Sequence, residues 1–266
     1  MIPGIEIREI SRENGVPETT VEKDYALNWI LVAISREIDD LMALKGGTAI
    51  RKTYIGDYRF SDDLDFTLLV NIDKNMLEKK VITAVKKSKA ESGINFNENI
   101  RIEETPNKTY EMVTYFRMLR KMGSPLRIRL DITRSEDEKI ILPLKRRSII
   151  HPYSDRCRGK ILGYSLEEIL AEKLRSLFQR TRPRDLYDVW YLLKRIEVEK
   201  SLEILPEKFK LKGVSMDNLP MKRKDFEHAW ESSLKHQLKN LPNFDDVFND
   251  VNKTIEVAKL RFKKSF

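Results

Sequence analysis

Three aspartates in this sequence sit where strands would aim them together. "SDDLDFTLLV" (61–70) puts Asp63 and Asp65 two residues apart at the head of an apolar run, and "LRIRLDIT" (126–133) carries Asp131 among alternating aliphatics. Successive strand side chains point to opposite faces. Asp63 and Asp65 therefore share one face, while Leu64 and Phe66 take the other. Ile128, Leu130 and Ile132 claim a core face, which leaves Asp131 on the opposite one. If the two strands are neighbours, three carboxylates converge. Like charges packed together raise one another's pKa, and a divalent cation resolves the conflict. Mg²⁺, with Mn²⁺ as the alternative, suits oxygen ligands and bound phosphates. Two such ions can activate an attacking hydroxyl and neutralise a departing pyrophosphate. Each piece has a plainer reading as well. An Asp pair before a strand is commonly a solvated turn, and Asp131 can partner Arg129 or Arg134. Asp62 faces away from Asp63 by alternation and shapes the turn.

Upstream, Gly46 and Gly47 end the short apolar run "LMALKGG". A Gly-Gly at a strand end lets backbone approach a ligand closely, and a helix beginning just after it, "TAIRKTYI", offers free N–H groups to phosphate. Thr48 and Ser61 add hydroxyl donors. By itself, a glycine pair is more commonly a turn than a phosphate cradle. Further on, "LEEILAEKLRSLFQR" places Lys173 between Leu166, Ile169, Leu170 and Leu177 on an apolar helix face. A buried lysine needs an anion or gives up its charge. A triphosphate would serve, and so would snorkelling to solvent. Asp185 lies at the edge of the next helix's apolar face, in a first turn where the dipole favours a carboxylate. Asp188 points further away and reads as the partner of a nearby arginine.

These residues need a sheet and flanking helices to hold them. Residues 17–38 read as a helix with Pro17 near its start, "LMALK" and "LDFTLLV" as strands, and Lys74–Glu91 as a Lys-rich helix. "FNENIRIEE", "YEMVTYFRML" and "LRIRLDIT" alternate with period two. Around 143–164 the chain turns basic and rich in Pro and Gly, a candidate boundary. Beyond it the texture is helical: 166–180, with Ser165 and Glu168 fitting a capping box, then 183–195. Four-residue repeats follow at Phe226, Trp230, Leu234 and Leu238, and at Phe244, Phe248 and neighbours. The expected organisation is α+β: residues 1–150 form a mixed β-sheet flanked by helices, and 151–266 a mainly α-helical C-terminal domain.

Bulk properties narrow the function class. Lys and Arg outnumber Asp and Glu by 50 to 42, which favours an acidic partner such as RNA, DNA or nucleotides without demanding one. The basic run Lys145-Arg146-Arg147 is a candidate RNA contact, or a solvated face. A lone Cys157 excludes an intramolecular disulfide framework and a Cys-rich metal site. The charged N-terminus lacks a signal-peptide core, and no apolar run approaches the roughly 20 residues of a membrane span. A soluble cytoplasmic protein, with no membrane partner, is expected.

The set Gly-Gly, Asp-x-Asp and a third Asp on a later strand resembles the nucleotidyltransferase superfamily of the DNA polymerase β type. More narrowly, "VEKDYALNWIL", "LKGGTAIRKTY", "YRFSDDLDF", "RLDIT" and "EEILAEKLRSLFQRTRPRDLYDVWYLL" resemble the AbiEii/AbiGii toxin family of abortive-infection and type IV toxin–antitoxin systems, as does "DFEHAW" near the C-terminus. Fifteen residues separate Gly47 from Asp63, a length that suits the toxin family. The resemblance implies a nucleotidyltransferase-type sheet and a Mg-dependent enzyme that moves an NMP from an NTP to an acceptor hydroxyl, with the tRNA 3′ end as the expected acceptor. Asp63, Asp65 and Asp131 would hold metal, and Gly46, Gly47, Thr48 and Ser61 the triphosphate. Family motifs of the form KLxA and RDxxD map an active-site Lys to Lys173 and an Asp to Asp185, with Ser176 standing where the family often has Ala. Lys173 and Asp185 would orient the nucleotide, and a cognate antitoxin would be a partner. A protein or small-molecule hydroxyl as acceptor, or a non-catalytic binding protein on the same fold, are the competing readings.

Overall fold

The period-two segments are strands, and they assemble into one mixed sheet. In the computed structural model, residues 1–263 are described apart from 39, 107–108, 120–121, 214–218 and 220–221. The strands are β1 (Met42–Lys45), β2 (Asp63–Leu68), β3 (Asn95–Phe96), β4 (Ile102–Glu104), β5 (Tyr110–Arg117), β6 (Leu126–Thr133), β7 (Lys145–Ser148) and β8 (Lys160–Gly163). Their order is β3-β5-β6-β2-β1-β8-β7, with β4 also pairing β5. β2–β6 and β1–β8 run parallel, and the remaining pairs are antiparallel. One face carries Leu64, Phe66, Met112, Phe116, Ile128, Leu130 and Ile132, all buried. That alternation fixes register, because a one-residue slip would turn the whole set to the wrong face.

Four helices belong with this sheet: α1 (Gly4–Asn14), α2 (Glu18–Glu37), α3 (Gly46–Thr53) and α4 (Lys74–Ser92). α2 starts directly after Pro17, whose fixed φ suits a helix entry, and nearly all of Thr20–Ser35 is buried. A helix apolar on most sides is a core helix, and α2 packs against α4, β6 and β8. α4 is capped by Asp73, which accepts from the Met76 N–H, and ends on left-handed Gly93. The charged N-terminus forms α1 and buries Ile7. Its Glu6 carboxylate accepts from the Ser154 amide and hydroxyl, a long-range tie that local sequence cannot announce. The basic stretch after residue 143 supplies β7 and β8, so this compact unit comprises Met1–Glu138 and Leu144–Tyr164.

The second unit, Lys139–Pro143 with Ser165–Phe266, is helical. It contains α5 (Leu166–Gln179), α6 (Pro183–Leu193), α7 (Val198–Lys212), α8 (Arg223–Leu234) and α9 (Phe244–Lys263). Ser165 caps α5 by accepting from the Glu168 N–H at 3.1 Å. Glu168 does not close the box as the spacing predicts. Its buried carboxylate accepts from the Ile141 and Leu142 amides instead and pairs with Lys208 at 2.5 Å, fastening the 139–143 segment to this unit. α7 is the helix that periodicity does not single out; Leu202, Leu205 and Phe209 form its buried stripe. On α8 and α9 the four-residue repeats are core: Phe226, Trp230, Leu234, Val247, Val251 and Ile255 are buried.

Candidate active site

β2 and β6 are adjacent and parallel, with Asp65 opposite Asp131 and Asp63 opposite Arg129. Leu64 and Phe66 are fully buried beneath them, so Asp63, Asp65 and Asp131 share the other face. β5 pairs the far side of β6 and sets Glu111 opposite Asp131, adding a fourth carboxylate to that face. The Arg129 guanidinium links three of the four, 3.1 Å from Asp63, 3.0 Å from Asp131 and 3.4 Å from Glu111. Arg134 is engaged elsewhere, with Glu104, Glu136 and Asp137. Burial, then the Asp65 carboxylate, pushes the Asp131 carboxyl up to about 6, against the opposing pull of Arg129. The Asp65 share of that rise is like-charge repulsion between the two strands. Among the described residues no group of three or more His, Cys, Asp or Glu stands ready to hold a metal ion, and Arg129 reaches both Asp63 and Asp131. In donor type the three aspartates fit Mg²⁺ or Mn²⁺, since all are hard oxygen ligands on one face of adjoining strands.

The glycines are built into the same place. α3 includes both of them, with Lys45 as its N-cap, rather than starting just after the pair. Gly46 has φ +71°, and a Cβ there would lie 2.4 Å from Asp65 Oδ2. Only glycine allows both the left-handed backbone and that approach. A Cβ on Gly47 would lie 2.6 Å from Arg59 Nη2 and 3.4 Å from Ser61 Oγ. Arg59, which the sequence pattern does not single out, is thus a buried guanidinium packed against the glycine turn. The Thr48 hydroxyl is fully buried. It donates to Ser61 Oγ at 2.8 Å and also lies within hydrogen-bonding reach of the Asp63 carbonyl, so Thr48 ties the α3 start to the head of β2. Asp62 turns away, 3.8 Å from Lys23 on α2.

A buried charge cluster steadies α3 and the loop to β2. Asp24, on α2, pairs with Arg51 at 2.8 Å and Lys52 at 2.6 Å and accepts from the Tyr153 hydroxyl at 2.7 Å. Burial raises the Asp24 carboxyl, but Arg51 and Lys52 together outweigh it and hold the group well below the usual carboxylate range. Arg51 in turn donates to the Tyr58 carbonyl and lies 3.8 Å over the Phe60 ring. The segment that delivers Arg59, Ser61 and Asp63 is therefore pinned from beneath.

In the helical unit, Lys173 on α5 meets α6. Its ammonium is 2.6 Å from Asp185 and 2.9 Å from Asp188, while Arg180 holds the other Asp185 oxygen at 2.8 Å. The anion that a lysine on an apolar face requires is supplied by the protein itself. Burial pushes the Asp185 carboxyl up, but Lys173 and Arg180 prevail and leave it well below the usual range. Asp188, expected to answer an arginine, joins Lys173. The three-residue spacing in "DLYD" puts both carboxylates on one helix face, which is the signal that identifies it.

A family model described as "Nucleotidyl transferase AbiEii toxin, Type IV TA system" matches residues 29–250. Among solved structures, the nucleotidyltransferase toxin MenT4 from Mycobacterium tuberculosis H37Rv superposes with a TM-score of 0.69 at 16% identity, covering 97% of this chain and 90% of that one. It shares the fold. An antigenic nucleotidyltransferase-like protein from Paracoccidioides brasiliensis is similar only at a TM-score of 0.37 and 16% identity, over 78% of this chain and 93% of its own. No curated protein sequence matches the chain. The chain belongs to the AbiEii family: it is a nucleotidyl transferase toxin of the type IV toxin–antitoxin class.

Proposed function

We propose that the chain moves an NMP from an NTP to the 3′-terminal hydroxyl of an RNA, with tRNA as the expected acceptor, using Asp63, Asp65 and Asp131 to hold Mg²⁺ or Mn²⁺. The observation that carries this reading is the parallel β2–β6 register, which sets Asp65 beside Asp131 while Gly46 allows α3 to begin against Asp65. When bound, the metal neutralises phosphate charge and makes the attacking oxygen a better nucleophile. The chain's own residues do the rest. Gly46 and Gly47 present backbone N–H groups at the start of α3 to the triphosphate. Ser61, held by Thr48, adds a hydroxyl donor. Asp131 orients the acceptor hydroxyl and takes its proton as the oxygen bonds to the α-phosphorus. The bond from the α-phosphorus to the β-phosphate bridging oxygen breaks, and its electron pair leaves on pyrophosphate. Lys173, oriented by Asp185 and Asp188, is assigned to nucleotide positioning on its family motif. Family membership implies an NTP substrate and a cognate antitoxin, and the cytoplasm, where NTP and tRNA meet, is the proposed site of action. No helix among the described residues is long and apolar enough to cross a membrane.

The test supplies each α-labelled NTP with Mg²⁺ and total RNA, half of it oxidised with periodate to destroy the terminal ribose diol. Label is expected on untreated RNA alone. Label on the protein itself would move the acceptor to a side chain, and no label anywhere would sink the transfer reading.

A further inference from the structure

The sheet face that carries the carboxylates continues beyond them and changes character. Steps of two along β6 lead from Asp131 to Arg129 and Arg127, and along β5 from Glu111 to Val113, Tyr115 and Arg117. The register sets Tyr115 directly opposite Arg127, just as Glu111 stands opposite Asp131. Over four strand residues, about 13 Å at the usual rise, the face passes from acidic to basic and aromatic. Tyr115 is 43% exposed and Arg127 is also exposed, so neither belongs to the core. Beside them lies a depression of about 430 Å³ whose lining includes Tyr115, Arg117, Asn95, Asn97 and Asn99, with Lys89 there paired to Glu98 at 2.7 Å. Asparagine amides offer a donor and an acceptor side by side, the pattern that base edges match.

We propose that Arg127, Tyr115, Arg117 and this asparagine-lined depression hold the single-stranded 3′ end of the acceptor RNA and lead it along β6 toward Asp131. This rests on the RNA-acceptor reading above and names the surface that serves it. Unpaired bases stack on exposed aromatic rings while arginines take phosphates, and the chain's net charge of +8 favours a polyanion over an acidic-to-neutral protein patch only where cations are free to meet it. The basic run of β7 is less available: Arg146 pairs with Asp40, and Arg147 lies 4.0 Å over the Tyr54 ring.

The test measures binding of a 5′-fluorescein single-stranded RNA of about 12 nucleotides, within the span of known single-strand sites, to the full chain and to Tyr115→Ala, Tyr115→Phe and Arg127→Glu. Tyr115→Ala and Arg127→Glu are expected to weaken binding about tenfold or more, while Tyr115→Phe binds like wild type because the ring is kept. Thermal stabilisation by NTP stays unchanged in all three. If wild type labels RNA and both disruptive variants bind RNA as tightly as wild type, the strip is refuted and the acceptor reading stands. If wild type neither binds nor labels RNA, the acceptor reading fails and takes the strip with it. Loss of antitoxin binding with RNA binding intact would make the strip a protein interface and overturn the proposal.

Discussion

Asp63 and Asp131 are joined by one guanidinium, and that makes Arg129 a competitor for any cation the carboxylates bind. Arg129→Gln removes a positive charge from the metal's immediate surroundings. Mn²⁺ should then bind severalfold more tightly by titration calorimetry; equal or weaker binding would show that the arginine does not compete. Gly46 gives a second test at this scale. Gly46→Ala forces a side chain into a left-handed backbone, at about 1–2 kcal/mol, and drives Cβ into Asp65. Urea unfolding should register the loss of stability, and NMP transfer should fall with it. Gly93→Ala is the matched control, since Gly93 is also left-handed (φ +74°) but has nothing within 4 Å of the added Cβ. It should lose only the backbone share of that stability and keep its activity.

α2 reaches the site without contributing to it directly. Through Asp24 it holds Arg51 and Lys52 on α3, and through Arg51 it holds the loop before β2. Asp24→Ala strands two buried cations and should cost about 3–5 kcal/mol in urea unfolding. The pH dependence follows from the depressed Asp24 carboxyl. Its contribution is complete above the ordinary carboxylate value of about 3.9 and is lost as pH falls toward the lower folded value. Wild type should therefore lose stability in acid more steeply than Asp24→Asn, and identical slopes would remove Asp24 from the acid transition. Elements with strong periodicity were legible in sequence. β2 and β6 declared their faces by alternation, and α2, α4 and α5 their spans. α1 was not, because Ile7 is the one buried residue among its 11, and α7 was not, because Pro206 stands inside it. Asp24 sits within "VEKDYALNWIL" beside Glu22 in an otherwise mostly apolar stretch, a pattern that points to a buried partner but cannot say which one. Arg59 and Glu111 stayed hidden for a similar reason: their meaning depends on which strand or turn lies alongside.

The chain as a whole is a sheet-based unit and a helical unit, each with its own buried ionic centre. Asp24 with Arg51 and Lys52 lies in the first, and Lys173 with Asp185 and Asp188 in the second. The pieces that resemble the AbiEii/AbiGii family are spread from Val21 to Leu193, with "DFEHAW" beyond, and the family model spans 29–250. Membership therefore rests on the chain's length rather than on one motif. The acidic face of β2 and β6 is what the proposed chemistry depends on. Its most direct measurement is the rate of labelled NMP transfer to RNA by wild type and by Asp65→Ala and Asp131→Ala, each checked for an unchanged thermal transition. A fall of at least about a hundredfold is expected in both variants, the scale on which losing a preorganised charge group slows an enzyme. Transfer at the wild-type rate by either folded variant would contradict it.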